Sequence, residues 1–337
     1  MRGGVAIVKH MRIRMAAGAT ICAVLLAACA GSPALPPAAD DPPSTLTAPP
    51  SPIAALRMTS TPSPSVTPTE MPLSVFVLPT HTPYPNASHF SLGQSVQGRP
   101  IWAWQFGDGP YHIVLVGGIH GGYEANSTLL TRQLIGHFLA NPADVLPGIQ
   151  LVIIPAANPD GLARGDDLEG RSNANGVDLN RNWGCGWSEE AYLRDMPVDP
   201  GPYPFSEPET RALRAYFIAK PPDAVIFYHS VLGAVFTGEC GDEHPPARWL
   251  GELIAEATGY PYKHFTYYDV TGDATNWLAE RSIPALTVEL STRTETEFQR
   301  NWKGIMALQC HFVLGEAHIP ALDKAVHQRC ANLLGGS

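Results

Sequence analysis

The segment "GGIHGGYEANS", residues 117–127, places a histidine and a carboxylate close together. It follows an apolar run and precedes a stretch with helical spacing, so His120 and Glu124 lie where a strand ends and a helix begins. Histidine nitrogens and glutamate oxygens are both zinc ligands. The commonest spacing for such a pair puts the carboxylate where this chain has Tyr123. We therefore predict a zinc site whose carboxylate ligand, Glu124, lies one residue late.

Polar side chains also follow other predicted strands. Continuous apolar runs predict four buried strands, at residues 111–118, 149–158, 223–230 and 283–291. At or just past their carboxyl ends lie His120, Asn158, His229 and Glu289. Any one of them alone could cap a helix or form a hydrogen bond with the backbone of a loop. Because open α/β sheets bind ligands at this edge, the four together predict a site.

Segments with helical spacing alternate with these strands. They span residues 124–141, 205–220, 245–259 and 294–315. A further strand is predicted at residues 98–106, and Ser206 with Glu209 predicts a capping box for the second helix. The alternation predicts an α/β fold class, a single domain with a mostly parallel, mixed and twisted sheet and helices on both faces.

The residues at this edge are those that zinc-dependent hydrolysis requires. A catalytic zinc takes three protein ligands, and the candidates are His120, Glu124 and His229. Glu289 is a candidate general base, because burial at the end of an apolar strand raises the pKa of a carboxyl group. Arg171 and Arg181 are candidate anchors, since a guanidinium binds a carboxylate through two parallel hydrogen bonds.

The first 28 residues are predicted to be a lipoprotein signal peptide. A basic start precedes an apolar run that is too short to predict a transmembrane helix. The run ends in "LLAAC", which resembles a bacterial lipobox with Cys29 as the lipidated residue. An ordinary secretory signal with an incidental cysteine is the alternative. We expect an exported protein of the bacterial cell envelope, anchored to the membrane through acyl chains.

Residues 29–85 are rich in proline, serine and threonine, which predicts a disordered tether. Residues 86–337 then form the catalytic domain. Its four cysteines favour disulfides in an exported protein. Sequence alone does not fix the connectivity, and we expect the pairs that are close in sequence, Cys185–Cys240 and Cys310–Cys330. A thiolate metal site is the rival, but no Cys-x-x-Cys spacing supports it. The net charge of −9 argues against a nucleic-acid partner, and we expect a monomer.

The chain resembles the zinc carboxypeptidases, the metallocarboxypeptidase family of digestive carboxypeptidases and bacterial murein-peptide amidases. The matching stretches, in family order, are "GQSVQGRPI", "GGIHGGYE", "NPDG", "NANGVDLNRNW", "PFSEPET", "FYHS", "TGDATNW" and "TVEL". "GVDLNRNW" between an HxxE-like element and a later strand-end "HS" is the most specific of them. The resemblance implies a hydrolase with one zinc ion that cleaves the C-terminal amide bond of peptides or murein peptides.

The resemblance also implies roles at the metal. His120, Glu124 and His229 are the ligands, and Asp178 orients His120 unless it merely caps a turn. Glu289 activates the water and passes its proton to the leaving amine. The two glycines before Tyr123 allow the turn to absorb its extra residue, because glycine adopts backbone angles closed to other residues. A damaged metal site is the alternative.

On the substrate side the resemblance implies that Arg171 stabilises the oxyanion and that Asn180 and Arg181 bind the substrate carboxylate. Both arginines could instead be structural. The family places a mobile tyrosine near that carboxylate, and Tyr267 and Tyr268 are both candidates. Asp273, within "TGDATNW", either attracts a basic side chain or free amine or caps the helix that follows.

Two further functions remain open at this point. The first is a catalytically impaired lipoprotein that binds peptides or cell-wall fragments. A base such as Glu289 is useless to a pure binder, and its presence favours the enzyme. The second is an enzyme that deacylates small N-acyl amino acids, against which the intact "GVDLNRNW" argues.

Overall fold

A computed structural model describes residues 86–241, 245–315 and 324–334. Nine strands lie in this part of the chain: β1 Ala87–Gln94, β2 Pro100–Phe106, β3 Tyr111–Val116, β4 Ile149–Ile154, β5 Ala191–Leu193, β6 Met196–Val198, β7 Ala224–Ser230, β8 Ala234–Thr237 and β9 Ala285–Leu290. Seven of them form one sheet in the order β1-β2-β4-β3-β7-β9-β8, and β5 pairs with β6. The four central strands, β4, β3, β7 and β9, are parallel, and the outer strands are antiparallel.

The central strands are buried on both faces because helices cover both. Successive residues of β3 alternate between two apolar cores: Ile113 and Leu115 contribute to one, Val114 and Val116 to the other. The predicted α/β fold class, with a mostly parallel mixed sheet, is confirmed.

Seven α-helices lie in the described residues: α1 Ala125–Ala140, α2 Pro159–Arg164, α3 Pro208–Ala219, α4 Pro245–Thr258, α5 Ala274–Ala279, α6 Phe298–Gly315 and α7 Lys324–Leu334. Helices α1, α4 and α6 supply Leu130, Leu250 and Ile305 to the first core. Helices α3 and α5 supply Leu213 and Trp277 to the second. No helix in the described part of the chain is long and apolar enough to cross a membrane.

The predicted capping box at the second helix is wrong. Helix α3 begins at Pro208, and its N-cap, Glu207, makes no side-chain cap hydrogen bond. Glu209 is buried and instead accepts hydrogen bonds from Val96 N, at 3.1 Å, and Asn173 Nδ2, at 3.1 Å. Ser206 Oγ donates to the neighbouring carboxylate of Glu207 at 2.7 Å. Contacts with distant loops therefore replace the local cap that the spacing predicts.

Both expected disulfides are present, Cys185–Cys240 and Cys310–Cys330. The first joins the loop before β5 to the loop after β8. The second ties α6 to α7. The predicted signal peptide, the lipidation site at Cys29 and the tether of residues 29–85 lie outside the described residues.

Candidate metal centre and active site

The carboxyl edge of the parallel strands brings the predicted side chains together. His229 and Glu289 are direct neighbours in the register of β7 and β9. His120 follows β3, the next strand on the other side of β7. Asn158 has a structural role, because its side chain accepts a hydrogen bond from Gly161 N and donates one to Arg171 O. Three of the four strand-end residues thus face one site, and the fourth caps α2.

The candidate zinc ligands converge. His120 Nδ1 lies 2.9 Å from Glu124 Oε1, His229 Nδ1 lies 3.1 Å from Glu124 Oε2, and the two Nδ1 atoms are 3.2 Å apart. All three residues are at most 5% exposed. In the described residues they are the one group of histidine, cysteine and acidic side chains with the spacing to hold a metal ion.

This donor set fits zinc. Zinc–ligand bonds of about 2.0–2.1 Å in tetrahedral geometry place neighbouring ligand atoms about 3.3 Å apart, close to the separations found here. Two histidines and one glutamate leave a fourth position open, as catalytic sites do. With Nδ1 of His120 facing the other ligands, its proton belongs on Nε2. That atom is buried, makes no hydrogen bond to the described residues, and lies 3.4 Å from Asp178 Oδ1, the predicted orienting carboxylate.

The glycine pair explains how Glu124 reaches the site from one residue late. Residues Gly121–Glu124 form a single 3-10 turn, and Gly121 has φ +49°, which favours glycine. A Cβ on Gly122 would lie 1.8 Å from the carbonyl oxygen of Gly165. The turn therefore packs directly on the backbone of the loop after α2. This close approach directs the Glu124 carboxylate towards both histidines.

Charges around the ligands are balanced within the site. Burial alone would raise the pKa of Glu124, but His120 and His229 hold it well below its usual range. Burial would likewise raise the pKa of Asp178, and the positive charge of Arg171 holds it low. Arg171 Nε donates to Asp178 Oδ2 at 2.8 Å, and its Nη1 lies 3.6 Å from Glu124 Oε1. The carboxyl groups of Glu124 and Asp178 are thus kept ionised within the site.

Glu289 lies beside this group in a cavity of about 1060 Å³, which the candidate ligands, Arg171 and Arg181 also line. Burial and the negative charge of Glu124 raise the pKa of Glu289 to about 7. Its Oε2 accepts one long hydrogen bond, from Leu232 N at 3.3 Å. A carboxylate with this pKa and few hydrogen bonds can accept a proton near neutral pH.

Arg181 is a buried cation that forms no ion pair within the described residues. It is 2% exposed, and its guanidinium donates to the carbonyl oxygens of Asn180, at 2.7 Å, and Tyr192, at 3.1 Å. No carboxylate in the described residues forms an ion pair with it. The adjacent Asn180 side chain donates to Asp273 Oδ2 at 2.7 Å and accepts from Ala274 N at 3.0 Å. Arg181 is therefore the more available half of the predicted carboxylate clamp.

The structure separates the alternatives left open for Asp273. Its Oδ1 caps α5 by accepting from the backbone N–H groups of Thr275 and Asn276, and its Oδ2 accepts from Asn180. Both carboxylate oxygens are thus engaged, which favours the capping role over the recognition of a basic side chain.

The two candidate tyrosines have different surroundings. Tyr268 approaches Arg181, with its ring centroid 6.0 Å from the guanidinium carbon. Burial raises the pKa of Tyr268. Tyr267 is 52% exposed and packs on Phe236 and Phe265. Tyr268 is therefore the tyrosine beside the predicted clamp.

Arg293 lines the same cavity and was not among the predicted site residues. It follows Glu289 by four positions, in the loop between β9 and α6. The available indication was a basic residue just past a strand that ends in a candidate catalytic carboxylate. The sequence predicts a helix from residue 294, but α6 begins only at Phe298, so the loop that carries Arg293 is longer than predicted.

Comparison with known proteins agrees with the zinc site that the geometry indicates. The zinc carboxypeptidase family matches residues 78–308. Murein peptide amidase A of Escherichia coli K12 is 29% identical over 235 residues, which cover 66% of this chain and 88% of that protein. Murein peptide amidase A of Vibrio campbellii is 31% identical over 212 residues, 59% of this chain and 78% of that protein. Carboxypeptidase A of Helicoverpa armigera shares the fold, with a TM-score of 0.56 at 21% identity over 68% of this chain and 70% of that one.

The fold and the edge site define a zinc-dependent hydrolase that cleaves peptides. The chain belongs to the zinc carboxypeptidase family, whose members use one zinc ion. The predictions of the family, the enzyme class and the zinc cofactor are thereby confirmed.

Proposed function

We propose that this protein is an exported, membrane-tethered zinc metallopeptidase that hydrolyses the C-terminal amide bond of peptides or murein peptides. The observation that carries the proposal is Arg181, a buried guanidinium in the cavity of the candidate zinc ligands that forms no ion pair with any described carboxylate. An unpaired buried charge is costly, and an incoming carboxylate would compensate it. If this carboxylate is the free C-terminus of a peptide, its binding to Arg181 would place the terminal amide bond near the candidate zinc ligands.

His120, Glu124 and His229 would hold the zinc ion. Zinc in such a site supplies Lewis acidity and lowers the pKa of water. Glu289 then accepts a proton from water as the general base and donates it to the departing amine. Its position next to His229 in the sheet supports this role, because the two side chains leave adjacent strand ends.

Arg171 stabilises the negative charge that develops on the carbonyl oxygen. Its guanidinium lies beside Glu124 and is fixed by Asp178, so it need not reorganise during the reaction. Arg181 holds the carboxylate of the leaving residue, and Tyr268 borders that subsite. The polar groups that meet the substrate therefore come from loops held on a rigid sheet edge.

Export and membrane attachment are proposed from the sequence and from the disulfides. The lipobox-like "LLAAC" ahead of the proline-rich stretch supports lipidation at Cys29. Two disulfides support an oxidising compartment, since such bonds are rare where thiols are kept reduced. A long extended tether would let the domain reach cell-wall material.

Murein peptides are proposed beside ordinary peptides because two of the relatives are murein peptide amidases. The cavity volume of about 1060 Å³ accommodates several residues of either substrate.

Mass spectrometry of peptides incubated with the purified protein tests the proposal. The set pairs free with amidated C-termini, includes a γ-linked murein peptide, and is run with and without a chelator. We expect loss of one C-terminal residue, from free termini alone, that the chelator stops. Binding of these peptides without cleavage would overturn the proposal and identify a binding protein instead.

A further inference from the structure

Arg293 forms a second cationic position in the cavity, separate from Arg181. Its guanidinium carbon lies 3.8 Å from the ring centroid of Tyr123, and its Nη1 donates to Tyr123 O at 2.6 Å. Tyr123 immediately precedes Glu124 and also lines the cavity. Arg293 thus lies at the rim, one residue from a candidate metal ligand.

The loop that carries Arg293 is fixed to the active-site edge. Asn126 Nδ2 donates to the carbonyl oxygens of Thr292, at 2.7 Å, and Glu295, at 3.0 Å. Asn126 Oδ1 accepts from Ser230 Oγ at 3.1 Å, so the same amide contacts the residue after His229. A cation held in place in this way loses little conformational entropy when it binds an anion.

Arg293 has no carboxylate partner in the described part of the chain. Arg171, the other guanidinium near Tyr123, is paired with Asp178. Arg293 is solvent-exposed, and within the described residues its guanidinium contacts a carbonyl oxygen and an aromatic ring, neither of which carries a net negative charge. The free edge of its guanidinium is available to a ligand.

We propose that Arg293 binds a carboxylate on the acyl side of the scissile bond, which makes this enzyme selective for peptides with an anionic residue there. The inference rests on the proposed function, which places the leaving residue's carboxylate at Arg181. Arg293 contacts Tyr123, whereas Arg181 contacts Asn180, Tyr192 and Tyr268.

Arg181, the candidate ligands, Glu289 and Arg293 line one cavity, and Arg293 lies against Tyr123, next to Glu124. With the carboxylate of the leaving residue at Arg181 and the scissile bond at the ligands, the acyl-side residue is the part of the substrate that remains for Arg293. On the acyl side, a γ-linked glutamyl residue carries a free α-carboxylate, and an α-linked glutamyl residue carries a side-chain carboxylate. Both offer the planar anion that a guanidinium binds with two parallel hydrogen bonds.

The test compares matched substrates on the purified full-length protein. Each pair shares one leaving residue and differs only in a carboxylate or a carboxamide on the acyl-side residue, in a γ-linked and an α-linked series. The variants are Arg293→Gln and Arg293→Lys. Arg281→Gln is the matched control, because Arg281 stacks on the Trp277 ring at 3.9 Å in the same way but does not line the cavity.

We expect the wild-type kcat/KM to favour the carboxylate by about five- to tenfold, mainly through KM, as an accessible charge-assisted contact allows. Arg293→Gln should bring this ratio to about one, Arg293→Lys should keep part of it, and Arg281→Gln should keep all of it. The series with the larger ratio identifies the linkage. A ratio that stays unchanged in Arg293→Gln would overturn the inference, whether kcat/KM keeps its wild-type values or falls equally on both substrates of a pair.

The proposed function and this inference fail in different ways. If the wild-type protein cleaves neither substrate, the proposed function is wrong, and calorimetric binding of the same matched peptides then tests Arg293 directly. Tighter binding of the carboxylate peptide that is lost in Arg293→Gln would still support the contact. Equal affinities for the two peptides would exclude it.

Discussion

The glycine turn between the candidate ligands yields a prediction with a clear magnitude. In Gly122→Ala the new Cβ would lie 1.8 Å from Gly165 O and 2.6 Å from Gly165 C, whereas ordinary van der Waals contact begins near 3.4 Å. Both atoms are backbone, so no side-chain rotation relieves the clash. Overpacking of this kind costs about 1–3 kcal/mol. At about 2–4 °C per kcal/mol, the thermal midpoint should fall by about 2–12 °C.

Zinc binding should also be weaker in Gly122→Ala, because the strained turn contains the candidate ligand Glu124. Loss of a group that positions a ligand typically weakens metal binding by about 10–100-fold, and we expect a rise in the zinc Kd of that size. The assay is competition with a chromophoric chelator, combined with thermal unfolding of the metal-free and zinc-loaded protein.

Gly315→Ala is the matched control for this experiment. A Cβ at Gly315 meets no described atom within 4 Å, and the residue lies at the end of α6, far along the chain from the site. We expect it to change neither the thermal midpoint nor the zinc Kd appreciably. If Gly122→Ala behaves like this control in both measurements, the close backbone approach does not hold Glu124 in place and our account of the extra residue is refuted.

Three further predictions concern the substrate subsite, the base and the disulfides. Arg181→Ala should lower kcat/KM about 10–100-fold on free C-termini but little on amidated ones, since a charge-assisted contact is lost; peptide hydrolysis assays measure both. Burial and Glu124 raise the pKa of Glu289 to about 7, and the charge of bound zinc lowers it from there. Because protonated Glu289 cannot act as a base, kcat/KM should fall with decreasing pH below neutrality, and a rate that rises instead in a pH profile would contradict its role. Replacing Cys310 and Cys330 together by serine opens a loop with a sequence separation of 20 and should cost about 3 kcal/mol of unfolding free energy in denaturant titration; an unchanged midpoint would contradict this.

The apolar strands and the edge that they share could be predicted from the sequence. Each central strand is a run of apolar residues because both of its faces are covered, and His229 and Glu289 mark where two of these runs end. Local patterns of this kind need no knowledge of distant segments. Edge strands β1 and β8 and the β5–β6 hairpin gave no comparable run and were not predicted.

Other features depended on contacts between distant segments. The Asp273 carboxylate accepts a hydrogen bond from Asn180, 93 positions away in the chain. Arg293 donates a hydrogen bond to Tyr123, 170 positions away. The predicted capping box does not form for the same reason, because the Glu209 carboxylate accepts hydrogen bonds from the distant residues Val96 and Asn173. A single sequence shows which groups are present, but it does not show which of them are already paired, and pairing decides which remain free for a substrate.

The most direct test of the central claim is Glu289→Gln, measured for zinc content and turnover together. We expect one zinc per chain, since the candidate ligands His120, Glu124 and His229 are unchanged, and kcat lowered about 10²–10⁴-fold, the usual contribution of a general base. Turnover close to that of the wild-type protein with zinc still bound would contradict the assignment of Glu289 as the base and with it the proposed mechanism.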